Sequence, residues 1–278
     1  MDIRMVGGRQ NRTVEVLRSA ILSARDVRIA VAFVSCSGLE LVWPAINSIL
    51  DSGAEVEFMV GLDSFISEPE ALLQLYELAG ARTNADLYCY WSTQGHGIYH
   101  PKLYLLLGET EGRCLLGSSN LTRPGLAANL EVNAMVVAPR DSEFISDALE
   151  MYNGLKFRRD RVIPDRQYLD LYAELFRRNA TLQRRPLDRD LMRAFRERMA
   201  VLHRPPARRK DIVGWMELVY DALPAGEFGN QDAYAHEDAF SKAYPGNLHI
   251  RAKIRQQLQN LAKLGFLEHL GQGRWRKL

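Results

Sequence analysis

The first half of the sequence alternates short apolar runs with amphipathic stretches, and this alternation restricts it to a sheet covered by helices. Runs of strand length lie at residues 27–34, 55–60, 86–91, 102–107, 113–116 and 130–137. Helical periodicity lies at residues 12–23, 39–50 and 69–79. Turn-forming residues 108–112 separate two of the strands. The pattern predicts an α/β fold with a mixed sheet covered by helices.

The rest of the chain reads differently. Residues 142–199 are helical in pattern and increasingly Arg-rich, with Pro164 and Pro186 expected to break helices. Prolines and charge in the segment 203–209 predict a boundary. A chain of 278 residues is long enough for two cores. We predict an α/β domain at 1–154, a helical connector at 155–206 and a compact domain at 207–278.

Charge divides the chain into two halves. Residues 1–154 hold 11 Lys or Arg against 19 Asp or Glu, and residues 155–278 hold 25 against 15. The net charges are therefore −8 and +10, although the whole chain carries only +2. A basic half favours a polyanionic partner, because phosphate contacts dominate nucleic-acid affinity. Solvated Arg-rich helices are the alternative that composition leaves open.

Composition also predicts a cytoplasmic protein. No apolar run approaches the roughly 20 residues that span a bilayer, and the first residues lead into a polar stretch rather than an apolar signal core. Cys36, Cys89 and Cys114 are widely separated in apolar settings, so we expect free thiols rather than a disulfide or a zinc site. We predict no metal and no cofactor.

A cluster of polar residues follows on successive strands and loops. It comprises His100-Pro101-Lys102, then Gly117-Ser118-Ser119-Asn120, then Glu131. Strand alternation puts His100 and Lys102 on one face, where both side chains reach a single phosphate. The small loop residues allow close approach of an anion, and Asn120 supplies an amide donor. Alone, a His-x-Lys pair is most often a solvated strand edge.

Together and in this order, these residues resemble the motif of the phospholipase D superfamily, over roughly residues 1–150. The sequence departs from that motif at Leu107, where the wider superfamily has Asp. The BfiI-like restriction endonuclease branch also lacks the Asp and uses a Glu after the Asn, which Glu131 matches in type and placement. The resemblance therefore favours a nuclease over a simple phospholipase.

The resemblance also implies roles for the residues of this cluster. His100 would attack phosphorus and form a covalent phosphohistidine, while Lys102 and Asn120 stabilise charge on the phosphoryl oxygens. Glu131 would hydrogen-bond to the far nitrogen of His100, unless it is a solvent-facing strand residue. Ser118 would shape the loop or contact the phosphate. Family members with one motif form homodimers, so the resemblance implies a homodimer built through the N-terminal domain.

The C-terminal domain reads as a winged helix. Helices are expected at 210–223 and 231–243, and Ile250, Ile254, Leu258 and Leu261 mark a third. Strands at 266–270 and 274–277 flank a glycine turn, which completes the wing. The candidate DNA-binding residues are Asn247, His249, Arg251, Lys253, Arg255, Gln256, Arg274 and Arg276, together with Arg123 beside the Asn120 loop.

The stretch from Tyr244 to Arg276 resembles the C-terminal winged helix of DpnI-type restriction enzymes. That resemblance implies double-stranded DNA as the target and allows sensitivity to adenine methylation, although a winged helix equally mediates protein contacts. The sequence thus predicts a homodimeric, metal-independent DNA endonuclease of the restriction type. Two rivals stay open: a DNA-binding regulator with an inactive phospholipase D-like domain, and a lipid or small-molecule phosphodiesterase.

Overall fold

The computed structural model describes residues 1–7, 12–92, 97–181, 189–202, 207–247 and 249–278. It divides the chain into two compact units. The first unit comprises Met1–Arg140 with Gly154–Pro205, and the second comprises Asp141–Asn153 with Pro206–Leu278.

The first unit is built on an eight-stranded mixed sheet in the order β1-β7-β6-β5-β2-β3-β4-β8. Its strands are β1 (Asp2–Val6), β2 (Asp26–Val31), β3 (Glu55–Gly61), β4 (Ala85–Tyr90), β5 (Lys102–Leu107), β6 (Glu111–Gly117), β7 (Asn133–Pro139) and β8 (Arg161–Val162). Strands β2, β3 and β4 run parallel to one another, and every other pairing is antiparallel. The pairing of Val31 with Lys102 brings the end of β2 beside the start of β5.

The strands have apolar faces that must be covered, and a second layer of helices covers them. The helices are α1 (Thr13–Leu22), α2 (Cys36–Asp51), α3 (Pro69–Ala81), α5 (Arg166–Thr181) and α6 (Arg189–Val201), whereas most of α4 (Glu143–Lys156) belongs to the second unit. Alternate strand residues such as Ile29, Phe58 and Leu115 are buried in one core with Leu17 of α1 and Ile46 of α2. The α/β prediction, with a mixed sheet covered by helices, is therefore confirmed.

Helices α5 and α6 belong to this core and do not stand apart as a connector. Tyr168, Tyr172 and Leu175 of α5 and Phe195 of α6 are buried in it. Their spacing gives each helix an apolar stripe, which would be exposed in a free connector. Of the predicted boundary segment, residues 203–206 lie outside the described residues, as does Pro186.

The sequence pattern missed β1 and β8. Strand β1 pairs with β7 at the edge of the sheet, where four of its five residues are exposed, so no buried face marks it in the sequence. Strand β8 has only two residues, Arg161 and Val162. Strand β7 starts at Asn133, so Leu130 and Glu131 precede it, although the sequence placed them within the strand.

Among its described residues, the second unit contains three short helices, one long helix and a three-stranded antiparallel sheet in addition to its part of α4. Its elements are α7 (Trp215–Ala222), β9 (Glu227–Gly229), α8 (Asn230–Tyr234), α9 (Glu237–Ala243), α10 (Ile250–Lys263), β10 (Leu267–Gly271) and β11 (Arg274–Lys277). Ile254, Leu258 and Leu261 of α10 pack with Trp215 and Trp275, as their spacing predicted. The expected helix 231–243 is broken between α8 and α9, and β9 was not predicted.

Two observations concern membrane-spanning helices and cysteines. Within the described ranges, no helix has both the length and the apolar character needed to cross a bilayer. Cys36, Cys89 and Cys114 are free thiols, which confirms that prediction, and Cys89 and Cys114 are buried.

Candidate active site

His100 and Lys102 form a close pair where β5 begins. The Lys102 Nζ atom lies 2.6 Å from Nδ1 and 2.9 Å from Nε2 of the His100 ring. It also donates to the carbonyl oxygen of His100 at 3.2 Å. His100 is exposed and Lys102 is half-buried. The two side chains therefore share one face, as strand alternation predicted, and an ammonium lies against an accessible imidazole.

Phe33, which follows β2, connects this pair to Asn120. Its ring meets the His100 ring edge-on with 5.7 Å between centroids, and Lys102 Nζ lies 5.9 Å from its centroid. The Phe33 backbone N–H donates to Asn120 Oδ1 at 3.1 Å. Because this bond occupies the oxygen, it orients the carboxamide and leaves its NH₂ group as a donor. The structure thus brings His100, Lys102 and Asn120 together around one residue.

A buried network fixes the loop that carries Asn120. Asn133 Oδ1 accepts the Ser119 N–H at 3.1 Å, and Asn133 Nδ2 donates to Ser119 Oγ at 2.9 Å. The Tyr104 hydroxyl donates to the Ser119 carbonyl oxygen at 2.9 Å. All three residues are buried. Satisfied buried networks of this kind are rigid, so the backbone at Ser119, just before Asn120, is held in a fixed position.

Glycines let neighbouring elements press against the same loop. A Cβ at Gly38, near the start of α2, would lie 2.2 Å from the Leu121 carbonyl oxygen. Gly117 has φ +158°, and a Cβ there would lie 2.4 Å from the Val132 carbonyl oxygen. Neither position accepts a side chain without backbone movement, because the facing atoms are main chain. The small residues of the motif therefore serve tight packing.

Glu131 bonds to a different partner from the one expected. It lies in the loop before β7, where it accepts hydrogen bonds from Ser118 Oγ and, at 3.2 Å, from Asn129 Nδ2. Ser118 Oγ in turn accepts the Val132 N–H at 3.0 Å. Within the described residues, the His100 ring is contacted by Lys102 and Phe33 rather than by this carboxylate. Ser118 thus shapes the loop and positions Glu131.

The environment shifts the pKa values of the His100–Lys102 pair. Partial burial, followed by the positive charge of Lys102, lowers the pKa of His100. Burial also lowers the pKa of Lys102, while the negative charge of Glu131 opposes that change. Glu131 therefore acts electrostatically on Lys102, which helps to keep the ammonium charged. The imidazole stays neutral to lower pH than a free one.

Asp63 fixes the backbone conformation of the residues that precede His100. Its buried carboxylate accepts the Ser92 N–H and the Tyr99 N–H, both at 2.9 Å. Tyr99 is itself buried, stacks on Tyr90 at 4.6 Å and immediately precedes His100. Ser64 and Phe65, which follow Asp63, both have positive φ. Asp63 thus ties together the two ends of the segment 92–99.

Sequence reasoning missed Phe33, Asp63 and Asn133. Asp63 gave a weak signal, since it is a polar residue just beyond the apolar strand β3. Phe33 and Asn133 gave none, because their importance lies in main-chain and amide bonds between distant segments. Leu107, the departure from the expected motif, is buried at the opposite end of β5 from Lys102.

Two further points complete the first unit. Arg123 is half-exposed and pairs with Glu40 Oε2 of α2 at 3.3 Å, so it is available beside the Asn120 loop but not unpaired.

In the ranges that the structure describes, no cluster of three or more His, Cys, Asp or Glu side chains is arranged to hold a metal ion.

In the second unit, α10 presents a polar face opposite its buried stripe. Arg251, Arg255, Gln256 and Gln259 are exposed on it. Arg251 pairs with Glu237 Oε2 at 2.7 Å, and Arg255 donates to the Tyr234 hydroxyl at 3.3 Å. Near the start of the helix, Asn247 Oδ1 accepts the His249 N–H at 2.8 Å. This face holds three of the nine candidate DNA-binding residues, and two more, Asn247 and His249, lie just before the helix.

Lys253 does not share that face. Its ammonium lies 3.5 Å from Glu150 Oε2, and both side chains are only 21% exposed. A residue two positions from Arg251 points to the far side of a helix. Lys253 therefore belongs to the packing of α10 against α4, and we remove it from the candidate DNA-binding set.

The wing arginines are held by acidic neighbours. Arg274 Nη2 lies 2.6 Å from Glu227 Oε2, and Arg276 bridges Glu227 Oε1 and Glu268 Oε2, each at 2.7 Å. These hydrogen bonds from Arg276 and Arg274 lower the pKa of Glu227. Both arginines stay about half-exposed, so the ion pairs arrange them across β9, β10 and β11.

Comparison with known proteins adds two family matches. Residues 17–153 match the family described as "Cardiolipin synthase, PLD-like domain", and residues 208–277 match "Dam-replacing HTH domain". Among solved structures, NucT from Helicobacter pylori is similar, with 19% identity and TM-score 0.45, over 55% of this chain and 94% of that one. The phospholipase D family member Nuc from Salmonella typhimurium gives 16% identity and TM-score 0.42, over 55% of this chain and 92% of that one.

Proposed function

We propose that this chain, which carries a phospholipase D-like domain followed by a Dam-replacing HTH domain, is a nuclease that hydrolyses phosphodiester bonds of double-stranded DNA. The observation that carries the proposal is the convergence of an accessible imidazole, an ammonium and an oriented carboxamide around Phe33. An imidazole is a nucleophile near neutral pH, and the other two groups are donors for phosphoryl oxygens.

In the first step, a ring nitrogen of His100 forms a bond to phosphorus, and the bond from phosphorus to the leaving oxygen breaks. Negative charge grows on the non-bridging oxygens, where the Lys102 ammonium and the Asn120 NH₂ group donate hydrogen bonds. Glu131 supports this step through its electrostatic effect on Lys102. Since these donors are preorganised, the step is proposed to need no divalent cation.

A second acid must protonate the leaving oxygen and later take a proton from the water that hydrolyses the phosphohistidine. We assign this role to the His100 of a second copy of the chain, so that the active form is a homodimer through the first unit. An apolar surface next to the site supports this assignment. Leu130 is 94% exposed, Val132 65% and Leu116 39%. Such clustered exposed apolar residues mark interaction surfaces.

The dimer can be tested at this surface. Val132→Asp is expected to shift the protein from dimer to monomer in analytical ultracentrifugation and to lower DNA cleavage on the order of 100-fold, because it removes the second acid. Leu22→Asp is the matched control: Leu22 is 58% exposed at the end of α1, and the strand that follows, β2, starts beside Leu107, at the opposite end of β5 from Lys102. A monomeric Val132→Asp protein with full activity would refute the shared site.

The second unit is proposed to bring the site to DNA. Its exposed arginines and glutamines on α10 are side chains that hydrogen-bond to guanine and adenine edges in the major groove. We further propose a restriction role, with a cleavage pattern that depends on adenine methylation. The match of residues 208–277 to the Dam-replacing HTH domain family motivates this choice.

The direct test incubates the full chain with methylated and unmethylated plasmid DNA in EDTA. Cleavage of one form in preference to the other is expected, and sequencing the ends gives the site. DNA binding without cleavage would favour a regulator instead. Hydrolysis of small phosphodiesters, with no salt-dependent DNA affinity, would favour a phosphodiesterase.

The pH profile should reflect the environment of His100. Its lowered pKa means that the neutral, nucleophilic form persists as the pH falls, so the acidic limb of kcat/KM should lie below about 6.5, the ordinary value for histidine. Lys102→Gln removes the positive charge and should move that limb to higher pH while lowering the maximum rate. An unchanged or oppositely shifted limb in Lys102→Gln would contradict the assignment.

A further inference from the structure

A cavity of about 410 Å³ opens in the second unit between α10 and the hairpin β10–β11. Its volume lies within the range typical of small-molecule sites. Ala262 and Gln259 of α10 form one side, and His269 and Trp275 of the hairpin form the other. Arg255 and Gln259 of the polar face of α10 also line the cavity, so it adjoins the proposed DNA-binding face.

The aromatic wall of the cavity is preformed. The His269 and Trp275 rings are in contact, tilted by 38° with 4.3 Å between centroids. Trp275 Nε1 donates to Asn230 Oδ1 at 2.9 Å, and the Asn230 N–H donates to the Gly273 carbonyl oxygen at 2.9 Å. A Cβ at Gly273 would lie 2.6 Å from Asn230 Nδ2, so the hairpin turn is locked against α8. His269 is exposed and lines the cavity.

Two cations border the cavity, and they differ from the other arginines of the candidate DNA-binding set in their ion pairing. Arg255 and Lys263 line it, two turns apart on the same face of α10, with Gln259 between them. Neither has a carboxylate partner within the described ranges, whereas Arg251, Arg274 and Arg276 are all ion-paired. Positive charge that no local carboxylate neutralises is therefore concentrated at this opening.

An aromatic wall beside two cations and a carboxamide matches the chemistry of a nucleotide. A base stacks on an aromatic ring without regard to its identity, and a phosphate binds ammonium and guanidinium groups. We propose that the cavity is a subsite for one unstacked nucleotide, with the base against His269 and the phosphate at Arg255 and Lys263. The proposal rests on the proposed function only where DNA supplies that nucleotide; a free mononucleotide has the same chemistry.

The test uses the full chain with His100→Ala, so that DNA is not consumed, and 2-aminopurine fluorescence as the signal. The probes are 2-aminopurine deoxyribonucleoside monophosphate, an oligonucleotide that contains one 2-aminopurine, and the duplex of that oligonucleotide. His269→Ala and Lys263→Ala are expected to weaken binding of the free nucleotide on the order of tenfold each. Lys242→Ala, an exposed lysine on α9, is the charge-matched control and should change it less than twofold.

The outcomes separate the subsite from the proposed function. Nucleotide binding that depends on His269, without duplex binding, supports the subsite with a free mononucleotide and contradicts a DNA-binding role. A His269-dependent change in the duplex signal supports a nucleotide turned out of DNA. Duplex binding in which His269→Ala and Lys263→Ala behave like Lys242→Ala overturns the subsite and leaves the proposed function standing. Equal melting temperatures of the variants establish that folding is intact.

Discussion

His100→Ala is expected to abolish DNA cleavage, with a loss of at least about 10³-fold in the single-turnover rate, while DNA affinity is retained. The loss should be this large because the imidazole forms the bond to phosphorus and, in the proposed dimer, also protonates the leaving oxygen. Affinity should be retained because the exposed cations of the second unit remain. Plasmid nicking and filter binding measure the two quantities on the same protein.

A covalent intermediate gives an independent measure of the same prediction. Rapid quenching of the wild-type reaction at alkaline pH should trap DNA attached to the protein, since a phosphohistidine is stable to alkali and labile to acid. His100→Ala should trap none. Cleavage at a normal rate by His100→Ala, or an adduct that survives acid, would exclude His100 as the nucleophile.

Gly38→Ala should be the most disruptive small substitution in the first unit. Its Cβ would lie 2.2 Å from the Leu121 carbonyl oxygen and 2.5 Å from the Thr122 Cα, both main-chain atoms of the loop that follows Asn120. Relieving the overlap requires α2 and the loop to separate, at a cost of about 3 kcal/mol or more in the free energy of unfolding. Cleavage should fall with it, because Asn120 moves.

Gly80→Ala is the matched control for this prediction. Gly80 is also helical, within α3, and a Cβ there meets no atom within 4 Å. Alanine should therefore stabilise the protein by about 0.5–1 kcal/mol through helix propensity alone. Urea denaturation of both variants gives the comparison. Equal changes in stability would show that the Gly38 contact is not restrictive.

The fold was largely predictable because buried strands and amphipathic helices have different periods. Strand β5 begins and ends where the apolar run predicted, and α10 buries Ile254, Leu258 and Leu261 as expected. The exposed edge strand β1 could not be predicted in this way, because four of its five residues face solvent. The packing of α5 into the first core could not be predicted, because an apolar stripe does not indicate which surface it will contact.

Only the part of the site that depends on residues close in the sequence could be predicted. His100 and Lys102 share a face because they are two residues apart in an extended segment. The resemblance assigned the far nitrogen of His100 to Glu131 as its partner, whereas Glu131 lies in the loop before β7 and bonds to Ser118. Asp63 accepts a hydrogen bond from a main-chain N–H that is 29 residues away in the sequence, and the main-chain N–H of Phe33 donates to a side chain 87 residues away. The periodicity of the sequence does not indicate contacts of this kind.

The carboxylate of Asp63 fixes two points of the backbone, Ser92 and Tyr99, and Tyr99 immediately precedes His100. Residues inserted or exchanged between those two points therefore need not displace His100. We expect substitutions and insertions between these two points to leave the backbone position of His100 unchanged.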